Sequence, residues 1–301
     1  MRYHFHTLDV FTDRVFGGNP LAVVLDADGL DTPRMQAIAR EFNLSETVFV
    51  QRPTKPGPQR RKVRIFTPHT ELPFAGHPTV GTSYLLASLG LVKLDAADPR
   101  LVLEESIGDV PVSVLLENGV PVSTQMSVPR MPERGSMAPS RKDLAALLSL
   151  DEAGIPAEAA VWSCGVPFLF VPVRDLEAIG KAKVRPDLWD KVMAPGGARG
   201  VYLHTAQTQA RDAQVHARMF APGLGVSEDP ATGAAASALA GVLHAADPRD
   251  GVRRWRIEQG FEMGRPSIIE LEADVATGRI TAVRVGGRSV HVTEGTMDVP
   301  D

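Results

Sequence analysis

The stretch Glu228-Asp229-Pro230-Ala231-Thr232-Gly233-Ala234, continued by Ala235-Ala236-Ser237-Ala238-Leu239-Ala240-Gly241-Val242-Leu243, carries no charge from Pro230 to Leu243. Small apolar side chains point in every direction round the helical wheel, so a helix built from it has no solvent face and should be buried. Asp229 reads as its N-cap and Pro230 as its first residue, because a carboxylate accepts from orphan N–H groups and proline needs no partner there. A helix start held away from water gathers several N–H donors and about half a positive charge, which calls for an anion.

The same device occurs about half the chain earlier. His77-Pro78-Thr79-Val80-Gly81 matches Asp229-Pro230-Ala231-Thr232-Gly233 as (His or Asp)-Pro-x-x-Gly and again opens an uncharged segment. Upstream, Arg64-Ile65-Phe66-Thr67-Pro68 answers Arg218-Met219-Phe220-Ala221-Pro222; downstream, Leu103-Glu104 answers Ile257-Glu258. Three features in one order read as a duplication, with domains expected over 1–130 and 131–301 and a C-terminal strand able to cross back to the first.

The chain has 301 residues, 44% hydrophobic and 23% charged, enough for two cores. A net charge of −4 argues against a nucleic-acid partner, and no apolar run reaches the roughly 18 residues of a membrane span. The N-terminal segment lacks a signal-peptide core, so the cytoplasm is the expected compartment. The single Cys164 rules out an intramolecular disulfide.

Residues 1 to 11 alternate like a strand, and Gly17-Gly18-Asn19-Pro20 turns the chain into Leu21-Ala22-Val23-Val24-Leu25. His4 and His6 could begin a metal site, but the later histidines are scattered and no carboxylate sits with them at ligand spacing, so no metal is expected. No G-x-G-x-x-G or Walker pattern marks a nucleotide site. Asp31-Thr32-Pro33 opens a surface helix. Glu46 then leads into the β-forming run Thr47 to Val50, where pattern alone favours a solvated loop position. Arg52 to Lys62 reads as a solvated basic loop. Asn118-Gly119 and Gly108 punctuate a meander from Leu101 to Val128. About ten short strands against about six helices give an α+β protein with antiparallel sheets, each curled round a central buried helix.

Two buried helix starts are most economically used if both face one cleft between the domains. Backbone N–H groups at Gly76-His77 and Gly233-Ala234 would hold a substrate carboxylate, and Glu46, Glu71, His77, Glu228 and Asp229 are the titratable groups beside them. A carboxyl in such a place suits removal of a proton from carbon and its return elsewhere.

Gly18-Asn19-Pro20, Leu44-Ser45-Glu46-Thr47-Val48-Phe49, Phe66-Thr67-Pro68, Glu71-Leu72-Pro73-Phe74-Ala75-Gly76-His77-Pro78, Glu228-Asp229-Pro230-Ala231-Thr232-Gly233 and Met263-Gly264-Arg265-Pro266-Ser267 together resemble the phenazine-biosynthesis isomerase (PhzF-like) family across nearly the whole chain. The resemblance implies a diaminopimelate epimerase-like fold of two pseudo-symmetric domains, a homodimer, and a cofactor-free site for a small carboxylate. It implies catalytic roles for Glu46, His77 and Asp229, with Gly76, Gly233 and Ala234 binding substrate, and so moves Glu46 from loop to catalyst. Where related epimerases carry two cysteines, this chain has none, which excludes two-thiol racemisation. Phenazine-pathway members carry a serine where this chain has Ala234, so the resemblance names a family rather than a substrate. The expected activity is cofactor-independent proton-transfer isomerisation; epimerisation of an amino or imino acid and non-catalytic binding of a small acid are the alternatives.

Overall fold

The computed structural model describes residues 1–95, 97–135 and 137–300. Contacts divide the chain into two compact units: Met1–Ser127 together with the segment from Gly286 onward, and Val128–Val285. Strands outnumber helices in both, a mixed α and β fold. Among the described residues no helix is long and apolar enough to cross a membrane.

In the first unit β1 (Arg2–Val10) pairs antiparallel with β2 (Asn19–Val24), which runs parallel to β3 (Glu46–Gln51). Gly18 makes the first turn possible: its φ is 61°, and a Cβ there would fall 2.3 Å from the Val10 carbonyl oxygen. Between β2 and β3 lies α1 (Thr32–Phe42), capped by Asp31, which accepts from the Arg34 N–H at 3.0 Å. β4 (Arg60–Phe66) then pairs antiparallel with β3 and with β5 (Glu71–Leu72).

The central helix α2 (Gly76–Ser88) follows, and β6 (Arg100–Glu105) runs parallel to β4. β7 (Gly108–Glu117) and β8 (Val120–Ser127) complete the run, joined by Asn118 and Gly119, whose φ angles of 53° and 81° suit a type I′ hairpin. After the second unit the chain returns as β18 (Ser289–Asp298), antiparallel to β1.

The two faces of β1 serve different cores. Tyr3 and Phe5 join Phe49 and Phe66 against Met35, Ile38 and Ala39 of α1. On the other face Val10, with Leu21, meets α2 so closely that a Cβ on Gly81 would lie 2.5 Å from Val10 and 2.7 Å from Leu21. α2 touches β1, β2, β3, β7, β8 and β18 and is buried from Gly76 to Ser83.

The second unit contains β9 (Glu133–Arg134), α3 (Arg141–Leu148), β10 (Ala160–Ser163), β11 (Pro167–Pro172), α4 (Leu176–Lys181), α5 (Pro186–Met193), β12 (Gly200–Thr205), β13 (Val215–Ala221) and β14 (Val226–Asp229). The central helix α6 (Gly233–Ala246) precedes β15 (Gly251–Gln259), β16 (Ser267–Ala276) and β17 (Arg279–Gly287). β11 pairs antiparallel with β10 and parallel with β12; β13 pairs antiparallel with β12 and β14 and parallel with β15. Helices α3 to α5 cover one apolar core with Leu169, Val171, Val201 and Leu203. α6 touches β9, β10, β11 and β16, and Gly241 admits Trp162 so closely that an added Cβ would sit 2.3 Å from its ring.

Both uncharged segments are buried helices, as their composition requires, but the second begins later than its sequence suggests. Asp229 closes β14 by pairing with Met219, and Thr232 is the N-cap of α6. In the first unit Ala75 is the N-cap, so His77 stands inside the first turn rather than before it. The shared (His or Asp)-Pro pair therefore lies inside the first turn of α2 but ahead of α6, whose first residues are Gly233-Ala234 as those of α2 are Gly76-His77. The sheets are mixed rather than purely antiparallel, because central helices inserted between β5 and β6, and between β14 and β15, return the chain in a parallel sense. Arg60 to Lys62 belong to β4 rather than to a solvated loop, since Glu104 and Asp109 hold the Arg60 guanidinium in place.

Candidate active site

Glu46 is the first residue of β3, beside Leu21 of the parallel β2, and its side chain is mostly buried. Its Oε2 lies 3.2 Å from Nε2 of His77, in the first turn of α2. The His77 ring also hydrogen-bonds the Pro20 carbonyl, and burial drives its pKa down to about 3 despite that bond. The imidazole is therefore neutral at ordinary pH. With a proton directed at Pro20, its other nitrogen presents a lone pair toward the carboxyl of Glu46, so the contact is not an ion pair and becomes a hydrogen bond only when that carboxyl carries a proton to donate. Nε2 makes no aligned hydrogen bond in the structure. An imperfectly aligned catalytic pair is common before substrate arrives.

The start of α2 adds a second element. Ala75 offers no side-chain cap, so the Gly76 and His77 N–H groups are not satisfied by one, and Pro78 has no N–H to satisfy. The positive end of the helix thus lies beside Glu46, which the sequence pattern alone had put in a solvated loop.

In the second unit Asp229 is buried, and its Oδ2 accepts from the Thr232 hydroxyl at 2.6 Å. Gln259, fully buried at the end of β15, donates from Nε2 to the Asp229 carbonyl at 2.8 Å and to the Thr232 hydroxyl at 3.0 Å. The Thr232 N–H in turn donates to Gln259 Oε1 at 3.3 Å. Every direction in this network is fixed: the hydroxyl spends its one proton on Asp229, so the amide must present its NH2 side to it. Thr232 is thereby engaged and makes no side-chain cap, leaving Gly233 and Ala234 at an uncapped helix start. Tyr202 lies two strands away in the same lateral row, through Met219; its hydroxyl makes no hydrogen bond, and burial with the nearby Asp229 raises its pKa.

Sequence reasoning had placed Glu46, His77 and Gly76 near one another, and Asp229 with Gly233 and Ala234; within each unit the structure does so. It missed Thr232, Gln259, Pro20 and Tyr202. No periodicity announces these, since each acts through a strand partner distant in sequence. The other two carboxylates beside the motifs are structural. Arg64 holds Glu71 through Nε and Nη2 at 2.7 and 2.6 Å, and Arg218 holds Glu228 at 2.8 and 2.9 Å. Each guanidinium also lies over a phenylalanine ring, Phe66 at 5.1 Å and Phe220 at 4.8 Å. Cys164 is pushed up to about 12 by burial and by Glu133, which leaves it no thiolate chemistry.

The sequence matches the family described as phenazine biosynthesis-like protein over residues 8–295. The chain belongs to this family. An uncharacterized isomerase of Mesorhizobium japonicum is 43% identical over 96% of this chain and 96% of its own. The trans-2,3-dihydro-3-hydroxyanthranilate isomerase of Pseudomonas aeruginosa is 36% identical over 97% of this chain and 98% of its own. Among solved structures, a phenazine biosynthesis protein of the PhzF family from Bacillus anthracis superposes with a TM-score of 0.89 at 26% identity, covering 99% of this chain and all of that one. Membership in the phenazine biosynthesis-like family and these isomerase relatives make the protein an isomerase.

Proposed function

We propose that this isomerase moves a proton between two carbons of a small carboxylate-bearing substrate, by general acid–base chemistry that uses protein groups alone. The observation that carries the reading is the 3.2 Å approach of Glu46 Oε2 to the neutral His77 at the start of a buried helix.

Glu46 as the carboxylate takes a proton from a carbon next to an unsaturated or carboxyl group, and the electron pair moves into the conjugated system. The resulting enolate-like charge is met by N–H groups of a helix start, a fixed dipole that needs no reorganisation. Glu46, now the acid, returns the proton to a different carbon, so the double bond shifts and no atom is gained or lost. His77, neutral, keeps the local field free of a competing positive charge, and its lone pair accepts from Glu46 once the carboxyl holds the abstracted proton. In the second unit Asp229, positioned by Thr232 and Gln259, stands with the N–H groups of Gly233 and Ala234 as a like arrangement of a carboxyl beside an uncapped helix start, suited to receiving a polar group. Ala234 offers a main-chain donor and no hydroxyl.

We read the two units as copies of one plan. Several repeated contacts support this: the Arg–Glu clasp over a phenylalanine, the same order of parallel and antiparallel pairings, and one glutamate in each unit that gathers two consecutive N–H groups. Glu104 accepts from Thr54 and Lys55, and Glu258 from Gln209 and Ala210.

The test is turnover in D2O of a panel of small unsaturated acids, first chosen by thermal shift. Deuterium enters the product carbon with wild type, and Glu46→Gln loses at least about a hundredfold in rate. Exchange undiminished in Glu46→Gln removes Glu46 from the mechanism; a ligand that stabilises the protein without exchange or conversion reduces it to a binding protein. Inversion at one carbon with no double-bond movement would assign epimerisation instead.

A further inference from the structure

We propose that His6, His291 and Glu294 form a binding site for a borderline divalent cation, Zn2+ or its neighbours, that clips β18 to β1. His6 Nδ1 lies 3.0 Å from His291 Nε2 and 3.7 Å from Glu294 Oε2, and the three donor atoms all lie within 4.8 Å of one another.

The fold assembles this group by an irregularity. His6 pairs with Glu294, so their side chains share a face of the β1–β18 ladder. In a regular strand residues three apart point to opposite faces, and His291 would be lost to the group. The register shifts between Thr7 and Leu8: Thr7 opposes Thr293, but Leu8 opposes His291, and Val292 is the extra residue. The bulge reverses the alternation on β18 and brings His291 to the face of Leu8, which is also that of His6. The expectation that no carboxylate joins the N-terminal histidines is corrected here: the partners come from the other end of the chain, and a bulge lets His-x-x-Glu act on a strand.

The donor set defines the ligand. Two imidazole nitrogens and one carboxylate, with no sulfur and no ring of oxygens, suit Zn2+, Cu2+ or Ni2+ rather than Ca2+ or Mg2+. Adjacent ligands at Zn–N distances near 2.0–2.1 Å stand about 3.3 Å apart in a tetrahedron, close to the 3.0 and 3.7 Å that separate His6 Nδ1 from the other two donors. The alternative is one shared proton between a buried and an exposed histidine. It accounts for the 3.0 Å contact but not for the third donor or the bulge that aims it. Burial and the neighbouring His291 lower the pKa of His6, which leaves its nitrogen a lone pair at neutral pH. Three protein donors leave a fourth position for water.

The experiment uses full-length, untagged protein stripped with a chelator and titrated with ZnCl2 by calorimetry, with thermal unfolding in parallel. The expected result is one equivalent bound at micromolar or tighter affinity and a raised Tm that chelator reverses. His291→Ala and Glu294→Gln, both on exposed side chains, should fold normally and each bind at least about tenfold more weakly, since even an outer-sphere partner is worth that much. Co2+ in place of zinc should show the visible bands of a tetrahedral ion in wild type and lose them in His291→Ala. Equal zinc affinity in wild type and both variants, or no binding at tens of micromolar, overturns the proposal.

Discussion

Glu105 Oε1 lies 2.6 Å from the hydroxyl of Thr79, which itself stands 2.7 Å from the Ala75 carbonyl at the N-cap of α2. A hydroxyl has one proton and cannot donate to both. If Glu105 is protonated it donates to Thr79, and Thr79 donates to Ala75. Burial agrees, pushing the Glu105 carboxyl up to about 8 against the Thr79 bond. A neutral acid thus braces the helix start that carries His77.

Stability should follow that proton. Between the unfolded value near 4.5 and the folded value of about 8, the folded state holds a proton that the unfolded state has lost. Stability therefore falls as pH rises through this window and is regained on acidification. Glu105→Gln, which keeps a donor and cannot ionise, should flatten the slope; urea midpoints taken across the window test it. An unchanged slope would mean that Glu105 is already ionised when folded.

His216 has the opposite charge and the same direction. Burial opposes its protonation, but hydrogen bonds to Glu258 at 2.6 Å and Glu262 at 2.9 Å outweigh it and raise the pKa to about 9. Its contribution is complete below about 6.5 and is lost as pH rises through about 9. His216→Gln leaves buried carboxylates without their cation and should cost about 3–5 kcal/mol in denaturant unfolding near pH 6.

Because His77 stays neutral down to about pH 3, its ionisation should leave no limb in a rate profile between about pH 5 and 8. His77→Gln should lower kcat while the shape of the profile persists. A limb present in wild type and absent in the variant would show that the ring titrates during turnover.

Thr232→Val removes the donor to Asp229 and the acceptor for Gln259 and should lower kcat/KM by at least about tenfold. Thr232→Ser keeps both bonds and should retain most activity. Equal loss in the two variants would point to the methyl group instead.

Gly241→Ala gains about 1 kcal/mol of helix propensity yet should destabilise by about 1–3 kcal/mol, because the new Cβ meets the Trp162 ring at 2.3 Å. Thermal unfolding decides between the two effects.

The central helices were legible because an uncharged run has only one place to go. The start of α6 was misjudged because Asp-Pro suits an N-cap followed by a first helical residue, whereas here Asp229 is spent on closing a strand and orienting Thr232. The clasps of Glu71 and Glu228 were within reach of the sequence, since Arg64 and Arg218 recur with them in the same repeat. Gln259 and Tyr202 were not, as pairing across long separations leaves no local trace; a C-terminal strand crossing back to the first domain was expected, but not its register against β1. His291 and Glu294 were hidden by the bulge.

The return of β18 has a consequence for synthesis on the ribosome. Residues 128–285 form an uninterrupted stretch that can condense as soon as it has emerged. The lobe whose translation begins first must wait for Ser289–Asp298 before its opening strand gains that neighbour, so the order of completion reverses the order of emergence.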